Sequence, residues 1–152
     1  MRPAGPAARS FRGRHHRALD DGGRVGVPAG FRRELERRGG GRQPVLICRE
    51  DHLVLYPAET WDRLKSSLSF ESSVLPKPEG ERRSLIAQGG MECRIDARGR
   101  ITIPRDFRDF AGLGGVVAFV GLMDEIEIWN RDLLEATQAL TLRKLQELGK
   151  GG

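Results

Sequence analysis

Cysteine is nearly absent, with only Cys48 and Cys93 in 152 residues. Two thiols cannot build a disulfide framework, so a reducing, cytoplasmic setting is the expectation. No apolar run approaches the roughly 18 residues of a membrane span, and the N-terminal arginines have no apolar stretch behind them. Neither membrane insertion nor secretion is expected. His15, His16 and His52 do not combine with the two cysteines into C-x-x-C or H-x-x-x-H spacing, so no metal site is expected. The glycines from Gly22 to Gly30 lack the G-K-[ST] ending of a phosphate-binding loop. No serine or cysteine sits in a nucleophile motif with a histidine and an acid. The chain therefore reads as a non-enzyme, with no cofactor and no small-molecule substrate.

Lysine is also scarce. Of 26 basic residues only Lys65, Lys77, Lys144 and Lys150 are lysines, so the basic surface is almost wholly guanidinium. That planar fork suits phosphate and guanine, although a GC-rich genome also raises arginine over lysine. The net charge of +5 is uneven. Residues 1–49 carry 12 arginines against Asp20, Asp21, Glu34 and Glu36, and the remainder carries 14 basic and 17 acidic residues. The positive field is concentrated at the front, and nucleic acid is one partner that such a field fits.

The length fits one domain, or two very small ones that share a core. An internal repeat at a spacing of 76 residues favours the second form. Leu19-Asp20-Asp21-Gly22-Gly23-Arg24-Val25-Gly26-Val27-Pro28-Ala29-Gly30-Phe31-Arg32 aligns with Ile95-Asp96-Ala97-Arg98-Gly99-Arg100-Ile101-Thr102-Ile103-Pro104-Arg105-Asp106-Phe107-Arg108. Asp, Gly, Arg, Pro, Phe and Arg coincide in register. Each copy reads as strand, tight turn, strand and short helix. Asp20 with Gly23 and Asp96 with Gly99 form the turns, because Asp bonds its own backbone and Gly accepts positive φ. Val25 and Val27, or Ile101 and Ile103, lie on one face of an alternating strand, with Gly26 or Thr102 on the other. Pro28 and Pro104 suit a helix start. Phe31 with Leu35, and Phe107 with Phe110 or Ala111, give the helices an apolar side, closed by Gly39 to Gly41 and by Gly112.

A second register, offset by 73 residues, aligns Leu53-Val54-Leu55-Tyr56 with Ile126-Glu127-Ile128-Trp129. Before these lie the apolar runs Val45–Cys48 and Val116–Val120, with reversals at Glu50-Asp51 and Met123-Asp124. Each half thus holds about four short strands and one small helix, too little chain to bury its own apolar face. Pro57 opens a segment in which Trp61, Leu64 and Leu68 share one helical face. Ser72 to Glu81, with Pro76 and Pro78, breaks it, and Arg82 to Ile86 reads as another short helix. Asn130 suits the cap of a final helix striped by Leu133, Leu134, Leu140, Leu145 and Leu148, which needs something to pack against. Core packing and a subunit interface are both open to that stripe, its terminal position favouring the interface. Residues 1–10 read as a disordered extension.

Two Asp-x-x-Gly-Arg turns, each followed by an alternating strand and a proline, resemble the MraZ family. The resemblance includes Phe11-Arg12-Gly13, Leu55-Tyr56-Pro57 with Trp61, Gly89-Gly90 and Ile126-Glu127-Ile128-Trp129, and covers about residues 11–133. It implies a mainly β fold with short helices: two AbrB-like swapped-hairpin modules, 14–60 and 90–133, forming one double-psi-like barrel core. A helical linker over 61–89 and a C-terminal helix and tail over 134–152 complete it. It further implies a bacterial DNA-binding transcriptional regulator, cytoplasmic and nucleoid-associated, that forms a ring-shaped homo-oligomer. Such a ring binds short tandem repeats in double-stranded DNA ahead of its own division and cell-wall gene cluster, usually as a repressor. The motif arginines, which carry DNA binding in that family, match Arg24 and Arg100. Asp20 and Asp96 are expected to set the turns and hold those arginines, since a carboxylate is repelled by phosphate.

Arg98, a candidate DNA contact in the second turn, has no counterpart in the first, where Gly22 stands, and Gly26 replaces a hydroxyl residue, so the two turns are expected to contribute unequally. Arg14, in a basic run with Arg12 and Arg17, is a further candidate DNA contact. Arg32, Arg33, Arg37 and Arg38 circle a short helix and are expected to be solvated or to face another subunit. Two other readings stay open: an AbrB-like antitoxin or transition-state regulator, against which the duplication counts, and a non-DNA oligomeric scaffold whose arginines meet acidic protein surfaces.

Overall fold

Both repeat copies fold into the same series of elements in the computed structural model, which describes residues 11–72 and 90–150. The first copy gives β1 (Arg14–Ala18), β2 (Arg24–Gly26), α1 (Ala29–Gly39), β3 (Val45–Arg49) and β4 (His52–Tyr56), followed by α2 (Ala58–Ser72). The second gives β5 (Met91–Glu92), β6 (Arg100–Thr102), α3 (Arg105–Ala111), β7 (Val116–Leu122) and β8 (Glu125–Asn130), followed by α4 (Arg131–Lys150). The short helix expected over Arg82 to Ile86, most of the break after Ser72 and the N-terminal extension lie outside the described residues. No helix among the described residues is long and apolar enough to cross a membrane.

The strands pair across the copies. Six form an antiparallel sheet in the order β1-β7-β8-β4-β3-β5, and β2 pairs with β6 as a separate two-stranded ribbon. Exchanging each strand for its repeat counterpart reverses the sheet order onto itself. The core is mixed for the same reason: Val25, Val27, Phe31, Leu46 and Leu55 from the first copy bury against Ile101, Ile103, Val117, Phe119, Ile126 and Ile128 from the second. Neither half has enough apolar surface to close its own core, so each completes the other's.

The barrel implied by the family resemblance does not close. The sheet is open, with β1 and a two-residue β5 at its edges. The three-residue β2 and β6 pair with each other and add nothing to the sheet. Strands this short offer too few ladder bonds to seal a sheet into a barrel.

Local expectations hold in detail. Val25, Val27, Ile101 and Ile103 point inward, and α1 and α3 start directly after Pro28 and Pro104 and are capped by Gly40 and Gly112. The reversals fall at Glu50 and Met123, one repeat offset apart and both at positive φ. Phe110, expected as one of two apolar choices on α3, is exposed, and Ala111 takes the buried position. The Asn130 side-chain carbonyl caps α4, accepting the N–H groups of Asp132 at 2.9 Å and Leu133 at 3.1 Å.

The second sheet face is covered by helices at two places. Trp61 of α2 packs on Val45, Ile47, Val54 and Tyr56, and Leu134 of α4 packs on Ala118 and Trp129. Beyond Leu134 the leucine stripe leaves the sheet: Leu140, Leu142, Leu145 and Leu148 are between 50% and 74% exposed.

A charged network lies on the same strands and ties the copies together. Arg49 pairs with Glu125 and, at 3.1 Å, with Glu127. His52, only 4% exposed, sets Nε2 at 3.0 Å from Glu127 and Nδ1 at 3.1 Å from Asp51, and its ring stacks on Trp129 with centroids 4.1 Å apart. The Trp129 indole and the Tyr56 hydroxyl donate to Glu127 and Glu125 at 3.0 and 3.2 Å. Burial alone would lower the His52 pKa, but the Glu127 and Asp51 carboxylates hold it above the ordinary 6.5. Burial would raise Glu127, and His52 with Trp129 holds it below 4.5.

The two shifts act on opposite sides of neutrality. A raised histidine contributes stability that is complete below its unfolded pKa and is lost as pH rises through the folded value. A lowered glutamate contributes above its unfolded pKa and loses this as pH falls through the folded value. Thermal melts between about pH 4 and about pH 9 are expected to give a plateau that falls at both ends. His52→Gln is expected to abolish the fall on the alkaline side and to lower the plateau. An unchanged alkaline limb in that variant would assign the fall to other groups.

Candidate nucleic-acid interface

The two motif turns are built alike. In the first, Asp20 Oδ1 accepts the N–H groups of Gly22 and Arg24 at 2.9 and 2.8 Å, and Oδ2 accepts Arg24 Nε at 3.0 Å. In the second, Asp96 Oδ1 accepts the N–H groups of Arg98 and Arg100 at 2.8 and 2.9 Å, and Oδ2 accepts Arg100 Nε at 3.1 Å. The Arg24 backbone N–H is the main cause holding the Asp20 carboxyl below its ordinary pKa, and the Arg100 N–H does the same for Asp96. Each carboxylate thus stays ionised, with its oxygens committed to the turn and to one arginine.

That arrangement uses only Nε of each guanidinium. Nη1 and Nη2 of Arg24 and Arg100 make no hydrogen bond among the described residues. The two side chains are 50% and 30% exposed. A guanidinium gripped at one edge and open at the other is oriented to give a two-pronged contact to phosphate or to a base edge.

Register places the pair together. In the β2–β6 ribbon Arg24 lies opposite Thr102 and Gly26 opposite Arg100, so the arginines occupy diagonal positions. Val25 and Ile101, between them, face the core. Alternation therefore directs both arginines to the outer face of the ribbon, where diagonal neighbours are about 7–8 Å apart at the backbone.

The other expected site residues divide. Arg98 is exposed at the tip of the second turn and makes no side-chain ion pair among the described residues. Arg14 is not gathered to the turns: its Nη1 donates to Gln138 at 2.7 Å and its Nη2 lies 3.4 Å from Glu135, both on α4. Among the α1 arginines, Arg33 alone is exposed and makes no hydrogen bond or ion pair among the described residues. Arg37 and Arg38 pair with Glu34, and Arg38 also lies 3.2 Å from Asp124 and over the Phe11 ring. Arg32 departs most from the expectation, because its guanidinium fills the space above Gly99 in the opposite turn. The Phe-Arg pair repeated in register at 31–32 and 107–108 was the signal for it, and helix periodicity hid it.

Two copies of one strand–turn–strand–helix unit, sharing one core and showing a basic turn apiece on a common ribbon, define a duplicated-module protein. Residues 10–79 and 86–144 match the family described as "MraZ protein, putative antitoxin-like". The chain belongs to the MraZ family. It is 33% identical over 142 residues to the transcriptional regulator MraZ of Coxiella burnetii (strain Dugway 5J108-111), covering 93% of this chain and 91% of that protein. It is 32% identical over 122 residues to the protein of the same name from Thioalkalivibrio sulfidiphilus (strain HL-EbGR7), covering 80% and 81%. Against that of Acidithiobacillus ferrooxidans (strain ATCC 53993 / BNL-5-31) the identity is 34% over 133 residues, covering 84% and 87%. All three relatives are named as regulators and none as an enzyme. The match continues into α4, past the residue 133 at which the motif resemblance ends.

Proposed function

We propose that the chain is a sequence-specific DNA-binding transcriptional regulator whose contact surface is the β2–β6 ribbon. The carrying observation is the diagonal placement of Arg24 and Arg100 on one outer face, each held at Nε and open at Nη. Electrostatic attraction brings phosphate to the turns, and the major groove of B-DNA is wide enough to admit a two-stranded ribbon. Arg98 adds to the second turn, and Arg14 contributes only if DNA draws it from α4. The names of the relatives support DNA regulation as the function class.

The finer reading follows the family resemblance. Modules 14–60 and 90–133 form the unit, and units assemble as a ring that repeats the ribbon along short tandem sites upstream of the chain's own gene cluster, repressing it at the nucleoid. Linking weak sites in this way raises avidity without new contacts. The exposed leucines of α4 are the surface for self-association. Leu145→Glu combined with Leu148→Glu is expected to shift the protein to a smaller species in size-exclusion with light scattering. The same pair is expected to weaken binding to multi-repeat DNA on the order of hundredfold. A gel shift on the DNA upstream of the gene tests the function itself: retarded complexes support it, and a protein that assembles but ignores this DNA supports a scaffold instead.

A further inference from the structure

Each turn is held by the copy to which it does not belong. Gly23 O accepts the N–H of Ile103 at 2.8 Å, and Gly99 O accepts the N–H of Val27 at 2.9 Å. The open side of each glycine is covered by a guanidinium from the opposite copy. A Cβ at Gly23 would stand 2.9 Å from Arg108 Nε on α3, and a Cβ at Gly99 would overlap the Arg32 guanidinium from α1. Both arginines are half-buried. Arg108 Nε also donates to Ile103 O at 3.0 Å, so the residue that grips Gly23 through its N–H is itself gripped by Arg108. Arg32 Nε is buried and has no hydrogen-bond partner among the described residues.

We propose that Arg32 and Arg108 are crossed positioning residues: Arg108 sets the turn that carries Arg24, and Arg32 sets the turn that carries Arg100. A planar guanidinium fits flat over a glycine where any side chain would collide, which links the second arginine of the repeat to its glycine. The crossing locks the turns to one another, so that Arg24 and Arg100 keep their diagonal spacing on the ribbon. The hydrogen bond at Arg108 and its absence at Arg32 make the first turn the more rigid. The meaning of this for DNA rests on the function proposed above, whereas the positioning itself is a property of the free protein.

Amide hydrogen exchange by NMR on the full chain without DNA tests it. In Arg108→Ala, protection at Gly23 and Arg24 is expected to fall about tenfold, the scale of one lost hydrogen bond, with Gly99 and Arg100 unchanged. In Arg32→Ala the pattern reverses, with a smaller fall at Gly99 and Arg100, because only packing, and no hydrogen bond, is lost there. Equal loosening of both turns, or loosening of the turn in the mutated copy, would overturn the proposal. Arg108→Lys keeps stem and charge but lacks the planar group, and the same crossed pattern is expected there if the alanine variant folds poorly. On DNA, Arg108→Ala is expected to be non-additive with Arg24→Ala and additive with Arg100→Ala. If Arg24→Ala binds DNA like the wild type, the DNA reading fails, and the crossed exchange pattern still decides the positioning.

Discussion

Replacing Arg24 and Arg100 together by alanine is expected to lower affinity for operator DNA by about a hundredfold or more, with little change in melting temperature. The size follows from the contact type, since an arginine lost from a phosphate or a guanine edge costs about 1–3 kcal/mol. Two are lost per chain, and an assembly multiplies the loss. Stability is spared because each arginine is partly exposed and its ion pair with Asp20 or Asp96 is a surface pair that adds little. The backbone of both turns is still anchored by the aspartates through the N–H groups at 22, 24, 98 and 100. Lysine at either position is expected to rescue only weakly, since it cannot offer Nε to the aspartate and a fork to DNA at the same time. Anisotropy titrations beside thermal melts separate the two effects.

Gly23→Ala is expected to have the largest effect on the fold of any substitution in the turns, about 3 kcal/mol, from the strain of a side chain at φ +83 and a clash with backbone. Its Cβ would stand 2.6 Å from Ile103 O, which cannot retreat while the Ile103 N–H holds Gly23 O. Gly99→Ala, at φ +78, is expected to cost less. There the new methyl meets the end of the Arg32 side chain, which can swing away. For a chain of this size the first change corresponds to a fall of about 10 °C in melting temperature. Equal melting temperatures for the two variants would show that the backbone collision is relieved by local movement.

What could be read in advance was local. Asp, Gly and Pro at fixed offsets defined the turns, strand ends and helix starts, because each acts on its own backbone or that of its near neighbours. Asn130 as a helix cap and Glu50 and Met123 as reversals belong to the same group. The pairing of β1 with β7 and of β3 with β5 was not legible, since strand partners are chosen by burial across the whole chain. The His52 and Glu127 network escaped for a related reason. Its members include matched positions, His52 with Glu125 and Tyr56 with Trp129, but they differ in residue type and the ion pairs join unmatched ones such as His52 and Glu127, so the repeat does not announce the contacts. For Arg14 and Arg32, charge and helix position are silent on the distant elements that hold them, α4 and the second turn. The open sheet reflects strand lengths that a family likeness does not specify.

The central claim is that the paired turns of the β2–β6 ribbon are the DNA contact. The most direct measurement is fluorescence anisotropy of the full chain on a labelled duplex from upstream of its gene, with wild type and the Arg24→Ala, Arg100→Ala double variant compared across a salt series. For the wild type, the logarithm of affinity is expected to fall linearly with the logarithm of salt concentration, as phosphate neutralisation requires. The double variant is expected to bind about a hundredfold more weakly throughout. Wild-type affinity in the double variant at every salt concentration would contradict the account.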